Sequence, residues 1–194
     1  MPLIMGILAQ AAAAPTPPAG GTYDLLETEI LTGSQASVTF SSLNSTYGAD
    51  YQHLQLRMAV RTDRADTGDA LRINFNGVTT SSYAWHYLLG TGSVVLSGSG
   101  TSQTHILGGA TTASTNIANT FAGDVMDILD PFETTKNTTI RSLSGHAATT
   151  QQIRLASGFY NSTDAIDSIT LDQNAGSNFL TGCRFSLYGL KASA

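Results

Sequence analysis

Short runs of alternating apolar and polar residues, separated by turn-forming residues, constrain the fold of this chain more than any other feature. The clearest run, Gln52–Thr62, reads QHLQLRMAVRT. Its apolar side comprises Leu54, Leu56, Met58 and Val60, and its polar side comprises His53, Gln55, Arg57 and Arg61. A period of two residues is typical of a β-strand with one buried face.

Comparable runs recur from Tyr23 onward at intervals of about 8–12 residues, which is typical of antiparallel sandwiches and barrels. We therefore predict an all-β fold, an antiparallel β-sandwich that is jelly-roll-like, because the two sheets of a jelly roll need about eight strands. The last run, CRFSLYGL, is expected to pair with an early strand and close the sandwich. Core residues predicted within the later runs are Ile140, Ile153, Leu155, Phe159, Ile169, Leu171, Phe185 and Leu187.

Two segments lack a strand pattern. Gly90–Asn119 is dominated by Gly, Ser, Thr and Ala, and we predict a long loop there with short strands at Val94–Leu96 and His105–Leu107. Asn44–Asp50 is also predicted to be a loop, and no helix is predicted in the body of the chain. The predicted organisation is an arm over residues 1–22 and one sandwich domain over residues 23–194, which includes the long loop 90–119.

The low charge excludes several classes of protein. Charged residues make up 12% of the chain, whereas Ser and Thr together make up about a quarter. Nine basic against fourteen acidic residues provide no electrostatic footprint for nucleic acid. The longest apolar run, Leu3–Ala14, is shorter than the about 20 residues that span a bilayer. Cys183 is the single cysteine, so no internal disulfide or thiolate zinc cluster can form. From these observations together we expect the chain to bind no cofactor, no nucleic acid and no membrane.

Residues 1–22 read MPLIMGILAQAAAAPTPPAGGT, an apolar half followed by a half rich in Pro and Gly. Three interpretations are open: a secretory signal peptide, whose usual basic start is missing here, an unstructured tail, or an extended arm. We favour the arm, because an apolar segment left in solvent would be an exposed hydrophobic patch. The residues expected to contact a neighbouring subunit are Leu3, Ile4, Met5, Ile7 and Leu8.

No arrangement of residues in the sequence indicates catalysis. The chain has four histidines and many serines but no G-x-S-x-G motif. Two runs carry acidic residues that would suit glycoside hydrolysis, yet carboxylates on any exposed strand share this spacing. Those residues are Asp124, Asp127 and Asp130 on one run and Glu27 and Glu29 on another. We therefore expect that the chain is not an enzyme.

An acidic turn and an aromatic strand are the remaining candidates. Clustered carboxylates suit Ca²⁺, but the turn does not match the calcium-loop motif and neighbouring arginines can neutralise it, so we expect no metal site. These carboxylates belong to Asp63, Asp66 and Asp69. The aromatic residues Tyr83, Trp85 and Tyr87 share one face of a predicted strand, which suits a carbohydrate platform. A core or a subunit interface explains the same rings and is the interpretation we favour.

Several short motifs point to a family. The chain opens with MPLI-x-GILA, passes through the Pro/Gly linker to YDLLET, and continues with ASVTFSSL, TYGADYQHLQLRMAVRTDRA and DALRINFNGV. Near the end, AIDSITL precedes a closing FSLYGL. These motifs, spread over most of residues 23–190, resemble β-sandwich structural proteins of tailed bacteriophages, including phages of cyanobacteria. The resemblance implies a virion component, either a head decoration (cement) protein or a tail-fibre or baseplate module, and it brings no catalytic residues.

Three hypotheses follow. The first is a non-enzymatic capsid decoration protein on the particle surface, which binds the major capsid protein or other virion subunits through its arm and loops. We expect it to be a homo-oligomer, with a trimer suggested by capsid symmetry. The alternative is a tail-fibre or baseplate module, or a carbohydrate-binding jelly roll that recognises a host surface. The third is a secreted hydrolase of sandwich fold.

Overall fold

The computed structural model describes residues 23–191. The elements are β1 (Tyr23–Ile30), β2 (Ser37–Ser41), α1 (Leu43–Tyr47), β3 (His53–Val60), β4 (Gly68–Phe75), β5 (Tyr83–Gly90), β6 (Val95–Gln103), β7 (Ile106–Thr112), β8 (Ala122–Leu129), β9 (Thr139–Ala147), β10 (Gln151–Tyr160), β11 (Ser168–Gln173) and β12 (Arg184–Leu190). The predicted arm over residues 1–22, with the contact residues Leu3, Ile4, Met5, Ile7 and Leu8, lies outside the described residues. Within residues 23–191, no helix has the length and apolar character needed to cross a membrane.

The strands form two antiparallel sheets packed face to face, which confirms the predicted sandwich. The larger sheet has the order β1-β12-β3-β8-β9-β10-β5-β6, and the smaller has the order β2-β11-β4-β7. The closing strand β12 pairs with the early strands β1 and β3, as the sequence predicts.

A jelly roll accounts for eight of these strands. The first four strands of the larger sheet and all four of the smaller sheet have the jelly-roll order, with successive strands crossing between the sheets. We name these eight strands the jelly-roll core. The strands β9, β10, β5 and β6 continue the larger sheet beyond β8, and we name them the extension.

The alternation in the sequence correctly predicts which side chains are buried at the centre of the jelly-roll core. The four apolar residues of β3 are at most 6% exposed, and Leu71, Ile73 and Phe75 of β4 are fully buried opposite them. Burying one such side chain contributes about 1.5–3 kcal/mol relative to leaving it in water. The predicted core residues Ile140, Ile169, Leu171, Phe185 and Leu187 are likewise buried.

The prediction for residues 90–119 is wrong in extent: the short strands predicted at Val94–Leu96 and His105–Leu107 are the beginnings of two long strands, so the segment is not mainly a loop. Two complete strands, β6 and β7, occupy most of this segment, and every residue of β7 is buried. The small residues here let β7 pack closely on the larger sheet, and a Cβ atom at Gly108 would lie 2.6 Å from the end of the Met126 side chain of β8. The loop predicted over Asn44–Asp50 is also partly wrong, because the single turn of α1 begins at the buried Leu43.

Three predicted core residues lie on the outside instead. Ile153, Leu155 and Phe159 of β10 are 59%, 49% and 37% exposed. The intervening residues Arg154 and Ala156 point into the sandwich and are at most 6% exposed. Alternation identifies which residues share a face of a strand, but it does not identify which face is inside.

Candidate functional site

The outer surface of the extension and of the adjoining β8 carries contiguous large apolar side chains. Cross-strand pairing places Val125, Leu143, Leu155 and Leu88 side by side on four neighbouring strands. Ile153 and Val95 lie beside this row. These six residues, which we name the apolar face, are between 43% and 72% exposed. Contiguous apolar surface of this kind is unusual on a soluble monomer and is typical of an interaction site.

Glycines form the floor of a shallow groove in the apolar face. Gly123 and Gly145 are cross-strand partners, and Ile153 pairs with both Gly145 and Gly90. The groove has a volume of about 780 Å³ and is bordered by Val125. A Cβ atom at Gly123 would meet no other atom within 4 Å, so the floor is open to a partner. This shape suits an apolar segment of another chain.

The inner side of the same strands is polar. Asp124, Ser142, Ser144, His146 and Arg154, which we name the polar layer, are at most 9% exposed and face β7. Polarity is therefore inverted in this part of the sheet, with apolar residues outside and polar residues inside. Buried polar groups are costly unless they are hydrogen-bonded, so their presence needs a structural cause.

A bulge in β7 is that cause. The register between β4 and β7 shifts next to Gly108 and Gly109, so backbone groups there leave the regular ladder. Ser142 Oγ donates to the Gly108 carbonyl at 3.0 Å, and the Ala110 amide donates to Ser144 Oγ at 2.8 Å. Arg154 Nη1 donates to the Gly109 carbonyl at 3.2 Å. Three side chains of the polar layer thus supply partners to the bulged strand.

Two members of the polar layer have perturbed ionisation. Both carboxylate oxygens of Asp124 are buried without a hydrogen-bond partner among residues 23–191. Burial raises the pKa of Asp124 to about 7. Burial also lowers the pKa of His146, whose Nε2 has no partner among the same residues. A Cβ atom at Gly109 would overlap the Asp124 carboxylate, so glycine is required there.

The three aromatic residues predicted to share a face do not form an open platform. Tyr83 is 2% exposed, stacks on Tyr160 with ring centroids 5.0 Å apart, and donates its hydroxyl to the Val78 carbonyl. Trp85 and Tyr87 stack on each other, with centroids 5.8 Å apart and planes 13° apart.

Both of these rings lie over β6, where Cβ atoms at Gly98 and Gly100 would come within 3 Å of them. The other side of the Tyr87 ring packs against the Arg154 guanidinium at 4.2 Å. Trp85 and Tyr87 therefore pack against other parts of the same chain in this structure.

The acidic turn anchors a loop rather than gathering ligands. Asp63 accepts hydrogen bonds from the backbone amides of Ser177 and Asn178 at 2.7 and 3.0 Å. Asp69 is buried and accepts from two further amides of the loop between β11 and β12. Asp66 pairs with Arg64 at 3.1 Å. Within residues 23–191, no three His, Cys, Asp or Glu side chains form a group that could hold a metal ion.

The acidic residues considered for glycoside hydrolysis are not brought together as a pair. Asp124 faces the interior, whereas Asp127 pairs with Arg141 at 2.7 Å and Asp130 pairs with Lys136 at 2.6 Å. Glu27 accepts a hydrogen bond from the Tyr47 hydroxyl at 3.3 Å. Burial acts to raise the pKa of Asp127, but hydrogen bonds from Gln55 and Arg141 outweigh it, so that the pKa lies below its usual value.

The remaining acidic residue of this set, Glu29, and one Ser–His contact lie elsewhere on the molecule. Glu29 lies exposed on β1, on the edge of the larger sheet. A Ser–His contact occurs at Ser157 and His86, whose Oγ and Nδ1 atoms are 3.2 Å apart on the exposed outer surface. No carboxylate among the described residues lies within salt-bridge distance of His86, so the third member of a catalytic triad is lacking there.

Sequence reasoning missed the polar layer and misplaced Arg61. Arg61, predicted to face solvent, is 7% exposed and donates to the carbonyls of Ser114, Asn116, Ile117 and Thr120. A partial signal for the polar layer exists in the sequence, since Asp124, Ser144 and Arg154 each lie next to a large apolar residue, Val125, Leu143 and Leu155 respectively.

Comparisons with known proteins add no relative. No protein family matches the chain, and no curated protein is similar to it at a significant level. The functional argument therefore depends on the surfaces described above and on the motifs in the sequence.

Proposed function

We propose that this chain is a non-enzymatic structural protein of a phage virion, a capsid decoration protein on the particle surface. The apolar face carries this proposal, because it presents six large, half-exposed side chains on one rigid sheet. A contiguous exposed apolar surface of this kind is typical of a site that a partner covers. The proposed partners are the major capsid protein or other virion subunits, together with further copies of this chain.

The N-terminal arm is the second contact in this proposal. Leu3, Ile4, Met5, Ile7 and Leu8 would lie across a neighbouring subunit, and burying them would contribute about 7–15 kcal/mol before the cost of ordering the arm. The segment between the arm and Tyr23 contains Pro15, Pro17 and Pro18, which favour an extended chain. An extended connection lets the arm reach beyond its own sandwich.

The resemblance to virion proteins and the fold support the proposal independently of the apolar face. The quoted motifs ASVTFSSL, DALRINFNGV and AIDSITL cover β2, β4 and β11, all strands of the jelly-roll core. The extension lies outside these motifs. A rigid body with a separate contact surface suits a decoration protein, since the contact must be specific to one lattice.

The test follows the protein into particles. Phage particles are assembled with the full chain, with a variant lacking residues 2–20, or with Leu143→Thr/Leu155→Thr on the apolar face. We expect both altered chains to remain folded by circular dichroism and to be lost from purified particles, as measured by mass spectrometry. The matched control is His86→Thr/Ser157→Thr, which changes two polar residues on the same outer surface.

Particle imaging decides between the virion sites. We expect density for the protein on the head surface, and a trimer would place this density at threefold positions. Density at the tail tip would favour the tail-fibre or baseplate alternative. Normal incorporation of the truncated chain would refute the arm as an anchor, and absence of the full chain from all particles would refute the virion role.

A further inference from the structure

A polar groove of about 740 Å³ opens at one end of the sandwich, where the turns between strands meet. The turn from β5 to β6 contributes Thr91 and Ser93, and the turn from β9 to β10 contributes Thr149 and Thr150. Gln152 of β10 completes this side. Loops at one end of a β-sandwich are a common position for ligand sites, because the sheets hold them rigidly.

Arg154 lies in the lining of this groove and is 6% exposed. Its Nη1 is bonded to the Gly109 carbonyl, and its Nε is buried with no partner among residues 23–191. The guanidinium packs on the ring of Tyr87, which also lines the groove, at 4.2 Å. This stacking and the bond to Gly109 hold the side chain in one position.

Arg154 has no carboxylate within salt-bridge distance among the described residues, although it is almost fully buried. The acidic residues that act on it at longer range are Asp124 and Asp69. Asp69 is already occupied by the amides of Ala175 and Gly176. A buried cation without a counter-charge is costly, so a carboxylate entering the groove would gain a strong, geometrically defined partner.

The rest of the lining indicates what kind of molecule would carry that carboxylate. Hydroxyl and amide side chains dominate the wall, and these groups bind sugar hydroxyls by hydrogen bonds. Asp66, Asp69 and Arg64 also line the groove, and Arg64 pairs with the two carboxylates at 3.1 and 3.7 Å. Among the lining residues this leaves Arg154 as the cation available to a single carboxylate. A saccharide with a single carboxylate fits both conditions.

We propose that this groove binds an acidic saccharide, with its carboxylate on Arg154 and its hydroxyls on the side chains of the two turns. The proposal does not depend on the virion role. It also differs from an aromatic carbohydrate platform, since Tyr87 acts here by positioning Arg154 rather than by stacking on sugar.

The experiment titrates the purified full chain with D-glucuronate and D-galacturonate, with glucose as the neutral control and acetate as the carboxylate control. Calorimetry measures binding, and the fluorescence of Trp85, the single tryptophan, reports on the stacked rings. We expect a dissociation constant in about the millimolar range for the uronates, as is typical of one sugar residue at an open site. Glucose and acetate should bind at least tenfold more weakly.

Variants assign the binding to the groove. Arg154→Met should weaken uronate binding at least tenfold, whereas Arg141→Met, which removes an arginine on the outer surface, should leave it unchanged. If Arg154→Met does not fold, Thr150→Val and Gln152→Ala on the groove wall should each weaken binding at least threefold.

Three results would overturn the proposal. They are no uronate binding by the wild-type chain, full binding by the folded Arg154→Met variant or by both wall variants, and acetate binding as tight as that of the uronates. Because none of these measurements involves particles, failure here leaves the virion proposal intact, and the reverse also holds.

Discussion

The jelly-roll core and the extension are built from the same antiparallel pairing but distribute polarity in opposite ways. In the core, apolar residues such as Leu56 and Leu71 face inward and are fully buried. In the extension, Leu143 and Leu155 face solvent while Arg154 lies inside. The two regions therefore differ in structure: the core buries its large apolar side chains, whereas the extension exposes them on its outer surface and has polar side chains inside.

The inversion depends on how β7 meets the larger sheet. A bulge at Gly108 and Gly109 leaves backbone groups without ladder partners, and Ser142 and Arg154 provide those partners from the larger sheet. Once polar residues occupy the inner positions, the period of two in each strand places their apolar neighbours outside. One local irregularity thus generates the exposed apolar face.

The same substitution made in both regions tests most directly whether they differ in how their leucines are packed. Leu71→Ala in the core should lower the free energy of unfolding by about 2–5 kcal/mol, because it leaves a cavity in a fully packed site. Leu143→Ala on the apolar face should change it by no more than about 0.5 kcal/mol, since the side chain is already in water. Urea unfolding followed by circular dichroism measures both, and equal losses would show that the outer surface is packed in the free protein.

The pH dependence of the unfolding free energy tests whether Asp124 in the polar layer is protonated. Its pKa is about 7 in the folded chain and 3.8 unfolded, so between these values the folded state retains a proton that the unfolded state loses. Stability therefore falls as the pH rises through this window and levels off above it. The advantage of Asp124→Asn over wild type should grow by about 2–3 kcal/mol from pH 5 to pH 8. Urea unfolding at the two pH values measures this, and an unchanged difference would show that Asp124 does not hold a proton there.

The smallest expected effect concerns the bulge. Ser142→Ala removes the donor to the Gly108 carbonyl and should cost about 1–2 kcal/mol of unfolding free energy, because a buried acceptor loses its partner. Ser157→Ala, on the outer surface of the next strand, is the matched control and should be nearly neutral. Thermal unfolding of both variants is sufficient, and a neutral Ser142→Ala would mean that the bulge does not depend on the polar layer.

The strands and turns of the core could be predicted because local patterns report them. Apolar residues alternate through most of β3 and in Leu71, Ile73 and Phe75 of β4. Asn76 and Gly77 have positive φ values of 51° and 66°, as a type I′ turn requires, and the Val78 amide donates to the Phe75 carbonyl at 2.9 Å. By contrast, β6 and β7 each contain two glycines, which are depleted in strands, and this conceals the pairing and packing that stabilise them. Arg61 was misplaced for a related reason, since its acceptors lie more than fifty residues away in sequence.

The amino-acid sequence by itself determined the all-β class, the antiparallel sandwich and the pairing of β12 with an early strand, because these follow from alternation and turns. Only the tertiary structure decided that Ile153 and Leu155 face solvent and that Arg154 faces the interior. Alternation is symmetric between the two faces of a strand, and the choice between them is made by what lies opposite. Here the bulged strand β7 lies opposite β9 and β10. Its backbone groups at the bulge form hydrogen bonds with inward-facing polar side chains of these two strands.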